Sequence, residues 1–491
     1  MQLGDPSDSE VSRAGGGGLS RRGVLKAGVL GVGSLLLSGG AAVRAGVPAG
    51  VAAVGRRGAT RPVRNVIFLV SDGMGAGTLG LSEHYSRVVL GKQTNWLRLA
   101  SEAGARRCVV TTHSYDSVVT DSAAASSAWS IGVKCRNGSL SVAPDGSTPA
   151  PILMRAKQGG RAVGCVTTTT ITHATPAGFY CTVSDRADQK DVGVQLVERD
   201  VDVALGGGRV YVPDAAEGAG VQRVQTRQEL KAWADSEHAV RAKRVIGTFN
   251  DGHISMSLER RDDEPSLVEM ARAAIEHLGT FADGFFLQIE GGRVDHAGHS
   301  NDVCGILTEQ LELDTVLGLA AEYALSRDDT LLIAATDHGT GGPSATFYGR
   351  HGVECIKKLS GASKSFEWVM QKFGALPGTL TPEQQGGELA KLLKQATGID
   401  IGSDGRKVLA RKLAGEQVDP SIRRNELTSV MGSIVGNGFG VQWVSPDHTG
   451  EPVEMLVLGA GGETVRAGMD NTELTAWMAG LMDLPPGKPL L

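Results

Sequence analysis

From about residue 62 of this 491-residue chain, short apolar runs alternate with helical stretches, and few architectures suit a chain patterned in this way. The plainest runs are NVIFLVS (65–71), RAVGCVTTT (161–169), VDVALG (201–206), GFFLQIE (284–290), TLLIAAT (330–336) and VEMLVLG (453–459). Helical candidates lie at 122–132, 266–278, 301–325 and 471–482. The alternation predicts an α/β fold with a mostly parallel central sheet flanked by helices. The 68 glycines are spread between apolar runs, which suits tight strand–loop–helix junctions and argues against disorder. Segment 342–440 breaks the alternation. It is rich in Gly, Lys and Gln, contains helical pieces such as GGELAKLLKQAT, and is too polar for a strand-based core of its own. It reads as an insertion on the main domain, and no internal repeat is evident.

The first 45 residues read as a targeting segment. SRRGVLKAGVLGVGSLLLSGGAAVRAG has paired Arg21 and Arg22, then a Gly-rich apolar stretch, then Val43-Arg44-Ala45. That order resembles a bacterial twin-arginine export signal cleaved after Ala45, and implies a periplasmic or extracellular protein. Residues 46–61 are then a linker and 62–491 the main domain. Five basic and three acidic groups leave with residues 1–45, so the net charge goes from −5 to about −7 (−5 minus +2). No basic run suggests nucleic acid, and no uninterrupted apolar stretch would span a membrane in the mature chain. The six cysteines are dispersed, with no C-x-x-C pair, so a zinc knuckle is excluded. Some pairing in an oxidising compartment and buried free thiols are both open to them.

Polar clusters sit directly after the apolar runs. Asp72 follows the first in SDGMG, Glu290 ends GFFLQIE, and Asp337 and His338 follow TLLIAAT. His173 and Thr175 follow the 161–169 run. Ligands of an open parallel sheet bind beyond the carboxyl ends of its strands, where all of these fall. In IEGGRVDHAGHSND, Asp295 and His299 are four apart and share one face of a helical turn, while His296 points elsewhere. Adjacent Asp337 and His338 can both point inward only if the strand has already given way to a turn. His448, in VSPDHTGEP, follows the strand-like run FGVQWV; His351 is its rival. Oxygen and imidazole donors without thiolate suit Zn²⁺, Mg²⁺ or a related divalent ion. Each cluster alone is an ordinary turn or surface pair, and Ser122 alone is a helix-initiating serine beside Asp121. Their coincidence at the strand ends of one sheet is what points to a metal site.

At these residues the chain resembles the alkaline phosphatases, enzymes with two zinc ions, an added magnesium and a serine nucleophile. SDGMG, TDSAAA, HATPA, VSDR, EGGRVDHAGH, TDHG and DHTGEPV, in that order, carry the resemblance from about Arg64 to Met482, without most of 342–440, which by that resemblance replaces a shorter family segment as a crown-like insertion over the site or an interface. Position by position, it implies Asp295, His299 and His448 as ligands of the first zinc. Asp337 and His338 would bind the second, with Asp72 bridging to a magnesium completed by Thr175 and Glu290. Ser122 would be the nucleophile, passing through a phosphoserine. Arg186 would clamp two phosphate oxygens, oriented by Asp121. His173 and His296 stand where some members have Asp and Lys, and take auxiliary positions. The implied substrates are small phosphomonoesters. Dimers are common in that family, so a homodimer is the assembly it allows, though nothing in the sequence specifies an interface.

Two rival classes remain at this level. A sulfatase or phosphodiesterase could use a similar fold, although the sulfatase signature C-x-P-x-R is absent: Cys135 precedes Arg136-Asn137-Gly138. A non-catalytic exported metal or phosphate binder would have little need of the nucleophile, the arginine and every metal position together.

Overall fold

The computed structural model describes residues 63–102, 104–213, 220–237, 244–418 and 426–487. The expected export signal and linker lie outside these residues. Eight strands come first: β1 (Asn65–Val70), β2 (Arg106–Thr111), β3 (Ala162–Thr170), β4 (Val203–Gly207), β5 (Val221–Val224), β6 (Arg244–Thr248), β7 (Phe285–Glu290) and β8 (Thr330–Ala335). Four two-residue strands follow: β9 (Gly339–Thr340), β10 (Ser344–Ala345), β11 (Val441–Gln442) and β12 (His448–Thr449). The chain returns through β13 (Val453–Gly459) and β14 (Gly468–Asp470).

Ten of these form one sheet in the order β14-β2-β13-β8-β1-β7-β3-β4-β6-β5. β1 pairs in parallel with β7 and β8, and β3 with β7 and β4. Of the ten, only β13 runs against its neighbours, β2 and β8. The α/β architecture read from the sequence is therefore the observed one.

The central strands are buried on both faces, which is why they read as continuous apolar runs. Along β1, Val66, Phe68 and Val70 enter one core, and Ile67 and Leu69 the other. The first core is covered by helices Ser122–Ile131, Ala174–Tyr180 and Glu473–Leu481, the second by Leu267–Leu278 and Val303–Leu325. Each fully buried Leu, Ile or Phe contributes roughly 1.5–3 kcal/mol of transfer free energy, so both faces are firmly fixed.

Segment 342–440 is helical: Gly349–Lys358, Phe366–Gly374, Pro382–Thr397, Gly402–Leu413 and Leu427–Phe439. Its apolar positions, among them Phe366, Val369, Leu389, Leu393, Val435 and Phe439, form a third core. Val294, Ala297, Val303 and Ile306 of the main domain join that core, so the insertion packs directly on the helices that follow β7. All six cysteines are buried and unpaired, which decides between the two states open to them. Among the described residues, no helix is long and apolar enough to cross a membrane.

Candidate active site and metal centre

Four neighbouring strands, β8, β1, β7 and β3, deliver acids and imidazoles to one edge of the sheet. Asp72 lies two residues past β1, Glu290 ends β7, and Asp337 and His338 follow β8. Beyond Ala335 the chain has left the strand, so Asp337 and His338 both turn inward and are fully buried. The Gly73 N–H and the His338 N–H each donate to Asp337 Oδ1, at 3.1 Å.

His448 arrives by a route the sequence did not suggest. The strand-like run before it contributes only the two residues of β11. His448 instead sits on β12, paired with Thr340, and immediately precedes β13. Because β13 is antiparallel, its starting end lies where the parallel strands finish. His351, the rival ligand, instead packs on Phe347 beside Cys355 and joins none of the groups of closely spaced ligand atoms found among the described residues.

The donor atoms form two overlapping clusters, with His338 also within ligand range of Asp295 and His448. His299 Nε2 lies 3.0 Å from His448 Nε2, and each lies 3.4 Å from Asp295 Oδ1. His338 Nε2 lies 3.2 Å from Asp337 Oδ2 and 3.7 Å from Asp72 Oδ1. Ligands about 2.0–2.1 Å from a tetrahedral cation are separated by about 3.3 Å, so both clusters have the spacing of ligands around one ion. The hydrogen bonds behind them agree. Nδ1 of His299 donates to the Pro446 carbonyl at 2.6 Å and Nδ1 of His448 to the Thr120 carbonyl at 2.8 Å. A carbonyl can only accept, so each Nδ1 carries a proton and Nε2 is the nitrogen turned toward the cluster.

Asp72, His173 and Glu290 make a third group, with ligand atoms within 4.8 Å of one another. Thr175 Oγ1 donates to Asp72 Oδ2 at 3.1 Å. Thr167 and Thr169 donate to Glu290 Oε2, the latter at 3.3 Å. Three buried carboxylate oxygens, Asp72 Oδ1, Asp337 Oδ2 and Glu290 Oε1, have no hydrogen-bond partner among the described residues. Orphaned anionic oxygens that converge in a dry site are the donor set a divalent cation satisfies.

The titration behaviour of the cation-free protein follows from this crowding. Burial, then the charges of Asp337, Asp295 and Glu290, raise the Asp72 carboxyl well above the usual carboxylate range. Burial pushes Glu290 up to about 7 and, with Asp295, pushes Asp337 up to about 6. His338 is held neutral, chiefly by burial and then by the neighbouring His448.

Ser122 meets this arrangement at the first turn of helix Ser122–Ile131. Asp121 is its N-cap, accepting from the Ala124 N–H at 2.9 Å. Ser122 Oγ lies 3.2 Å from His338 Nε2, at the edge of the second cluster. Asp121 Oδ2 also accepts from the Gly138 N–H and from Arg186 Nη1, both at 3.0 Å. Arg186 Nη2 donates to His173 Nε2 at 3.1 Å. His296 stacks edge-on against His173, 5.5 Å between ring centres. The thirteen residues singled out from the sequence thus form one connected network.

The alkaline phosphatase family model matches residues 63–484. The chain belongs to the alkaline phosphatase family. It is 30% identical to alkaline phosphatase 4 of Bacillus subtilis over 426 residues, 84% of this chain and 87% of that protein. With alkaline phosphatase 3 of the same organism it shares 29% over 447 residues, 87% and 91% of the two chains. The crystal structure of Thermus thermophilus alkaline phosphatase superimposes with a TM-score of 0.78 at 30% identity, covering 88% of this chain and 93% of that one.

Several residues of this candidate site were not singled out from the sequence. Thr167 and Thr169 hold Glu290, and Thr340 Oγ1 donates to Asp295 Oδ1 at 2.6 Å. The two-residue spacing of Thr167 and Thr169 on β3 was the available signal, since alternate residues of a strand share a face. His253, whose Nδ1 accepts from the Thr170 N–H at 3.1 Å, stands edge-on to His296 with 4.6 Å between ring centres. Arg293 and Glu367 form an ion pair beside it. No local pattern announces these partners.

Proposed function

We propose that the protein is an exported phosphomonoesterase that hydrolyses small phosphate monoesters through a phosphoserine at Ser122. Asp295, His299 and His448 would hold one zinc ion, and Asp337 and His338 a second, shared through Asp72 with a magnesium that Thr175 and Glu290 complete. When bound, these cations supply Lewis acidity to the serine and leaving-group oxygens. The chain's own residues do the rest. The start of helix Ser122–Ile131 favours negative charge on Ser122 Oγ. The planar fork of Arg186, steadied by Asp121 and His173, suits two oxygens of one phosphoryl group. His173 accepts from Arg186 on Nε2, which leaves the proton of its neutral ring on Nδ1. The Arg21-Arg22 segment supports the export reading.

One observation carries the proposal: a buried serine hydroxyl lies 3.2 Å from an imidazole that also faces two carboxylates, one oxygen of each unsatisfied. The test compares p-nitrophenyl phosphate with its bis ester on the Zn²⁺- and Mg²⁺-loaded protein. Acid-quenched enzyme is then analysed for phosphate on Ser122. The expected result is strong preference for the monoester, loss on chelation, recovery on adding the metals, and a label absent from Ser122→Ala. Preference for the bis ester would replace this reading with a phosphodiesterase, and turnover without the label would remove the phosphoserine.

A further inference from the structure

Helix Arg293–His299 carries ligand candidates on one side and touches the inserted segment on the other. Its first residue, Arg293, is buried, and its guanidinium has two partners of different kinds. Nη2 pairs with Glu367 Oε2, on the first turn of helix Phe366–Gly374 in the insertion. Nη1 donates to His296 Nδ1 at 2.6 Å. A guanidinium has no acceptor, so His296 Nδ1 must be the lone-pair nitrogen and Nε2 must carry the proton. Among the described residues, Nε2 makes no hydrogen bond.

The far end of this linkage is fixed. Glu259 accepts from the Ser365 N–H at 2.5 Å and from Ser365 Oγ at 2.9 Å. Asp302 Oδ2 accepts from the Phe366 N–H at 2.7 Å, while its Oδ1 caps helix Val303–Leu325 through the Cys304 and Gly305 N–H groups. Two main-domain carboxylates therefore pin the start of the inserted helix, and Glu367 follows immediately. A buried guanidinium N–H that donates to a fixed acceptor oxygen is oriented by that oxygen, because swinging away would leave the donor unsatisfied, while the buried Glu309 balances part of its charge from further off.

We propose that the insertion acts on the site through this tether: Glu367 orients Arg293, and Arg293 dictates which nitrogen of His296 presents a proton beside His173. Arg293 and Glu367 are positioning residues, and the role rests on the functional reading above only in its kinetic consequence. Substitution of such outer partners typically costs about ten- to a hundredfold in activity or metal affinity, and about tenfold is expected for Glu367→Ala, whose side chain is largely exposed.

The test uses the full chain loaded with Zn²⁺ and Mg²⁺. Imidazole ¹⁵N NMR, with His296 assigned by its loss in His296→Asn, reads the tautomer, and p-nitrophenyl phosphate hydrolysis reads kcat and KM. Wild type should show a protonated Nε2 and an unprotonated Nδ1 at His296. Glu367→Ala should mix the tautomers and lower kcat/KM about tenfold, and Glu367→Gln, which keeps an acceptor oxygen, should stay within about twofold of wild type. Glu388→Ala breaks a comparable surface pair with Lys391 on the same segment and should change neither readout. An unmoved tautomer in Glu367→Ala, a moved tautomer without a kinetic change, or equal damage from Gln and Ala would each overturn the proposal. A protein that cleaves no monoester would end the functional reading instead, and the tautomers would still decide whether the tether exists.

Discussion

Arg186 is held at two points in the structure, by Asp121 at 3.0 Å and by His173 at 3.1 Å. Neither contact uses up its capacity, since five N–H donors serve one carboxylate oxygen and one imidazole nitrogen. The remaining donors can take a phosphoryl group without reorganisation, which is where preorganised electrostatics gains most. A hydrogen bond to a charged group contributes about 1.5–3 kcal/mol, so Arg186→Ala should lower kcat/KM by about ten- to a hundredfold. Arg186→Lys should fall close to the alanine variant, because a point charge on a flexible stem cannot make the paired contact. Steady-state kinetics, together with inhibition by inorganic phosphate, would check both. A lysine variant with wild-type affinity for phosphate would show that charge alone suffices.

At the scale of elements, the position of Ser122 depends on how closely two helices approach. Helix Ser122–Ile131 is built of alanine and serine on the side that meets helix Ala174–Tyr180, and Ser126 Oγ donates to the Ala174 carbonyl at 3.0 Å. A Cβ on Gly178 would lie 2.2 Å from Ser126 Oγ and 3.1 Å from the Ser126 carbonyl carbon. Overpacking of this kind typically costs about 1–3 kcal/mol, so Gly178→Ala should lower the midpoint of thermal unfolding. It should also lower kcat, because the helix that must shift carries Ser122 and its neighbour carries Thr175. Unchanged kcat with lowered stability would mean the strain is absorbed away from the site.

The same scale shows what the sequence could and could not reveal. β1, β3, β7 and β8 were readable because strands buried on both faces are apolar without interruption, and the acids at their ends stand out by contrast. β2, with alternate residues exposed, and the short β5 and β14 near the sheet edges carry too little apolar signal to stand out. The direction of β13 is not written in its residues, so the delivery of His448 was misread even though the residue itself was singled out. Arg293 and Glu367 lie 74 positions apart, and only the folded insertion brings them together.

For the whole molecule, the site makes stability a function of both pH and cations. Glu290, raised to about 7, favours its neutral form in the fold; its contribution is present at low pH and is lost as pH rises towards 7. For His448, burial works against the charge but Asp295 outweighs it and raises the group to about 9. A raised histidine stabilises fully below its ordinary value near 6.5, and that contribution is lost as pH rises through 9. His173, His253, His296 and His338 are lowered chiefly by burial and work in the opposite sense, but only below about 6.5, where the unfolded chain would take up protons. Between about pH 6.5 and 9 His448, joined by Glu290 only up to about 7, acts without that opposition, and the cation-free protein should lose stability as pH rises. A divalent cation in the proposed site would reverse the sign. Bound as proposed, it would take the ionised carboxylates and the deprotonated imidazole of His448, so the folded state would then favour the very forms that were costly. Thermal unfolding in chelator should therefore show a midpoint falling from pH 6.5 to 9, and Zn²⁺ with Mg²⁺ should raise that midpoint more at pH 9 than at pH 6.5. A metal-induced gain that is the same at both pH values would mean that the cations do not displace protons from this cluster, and the ligand assignment would fall with it.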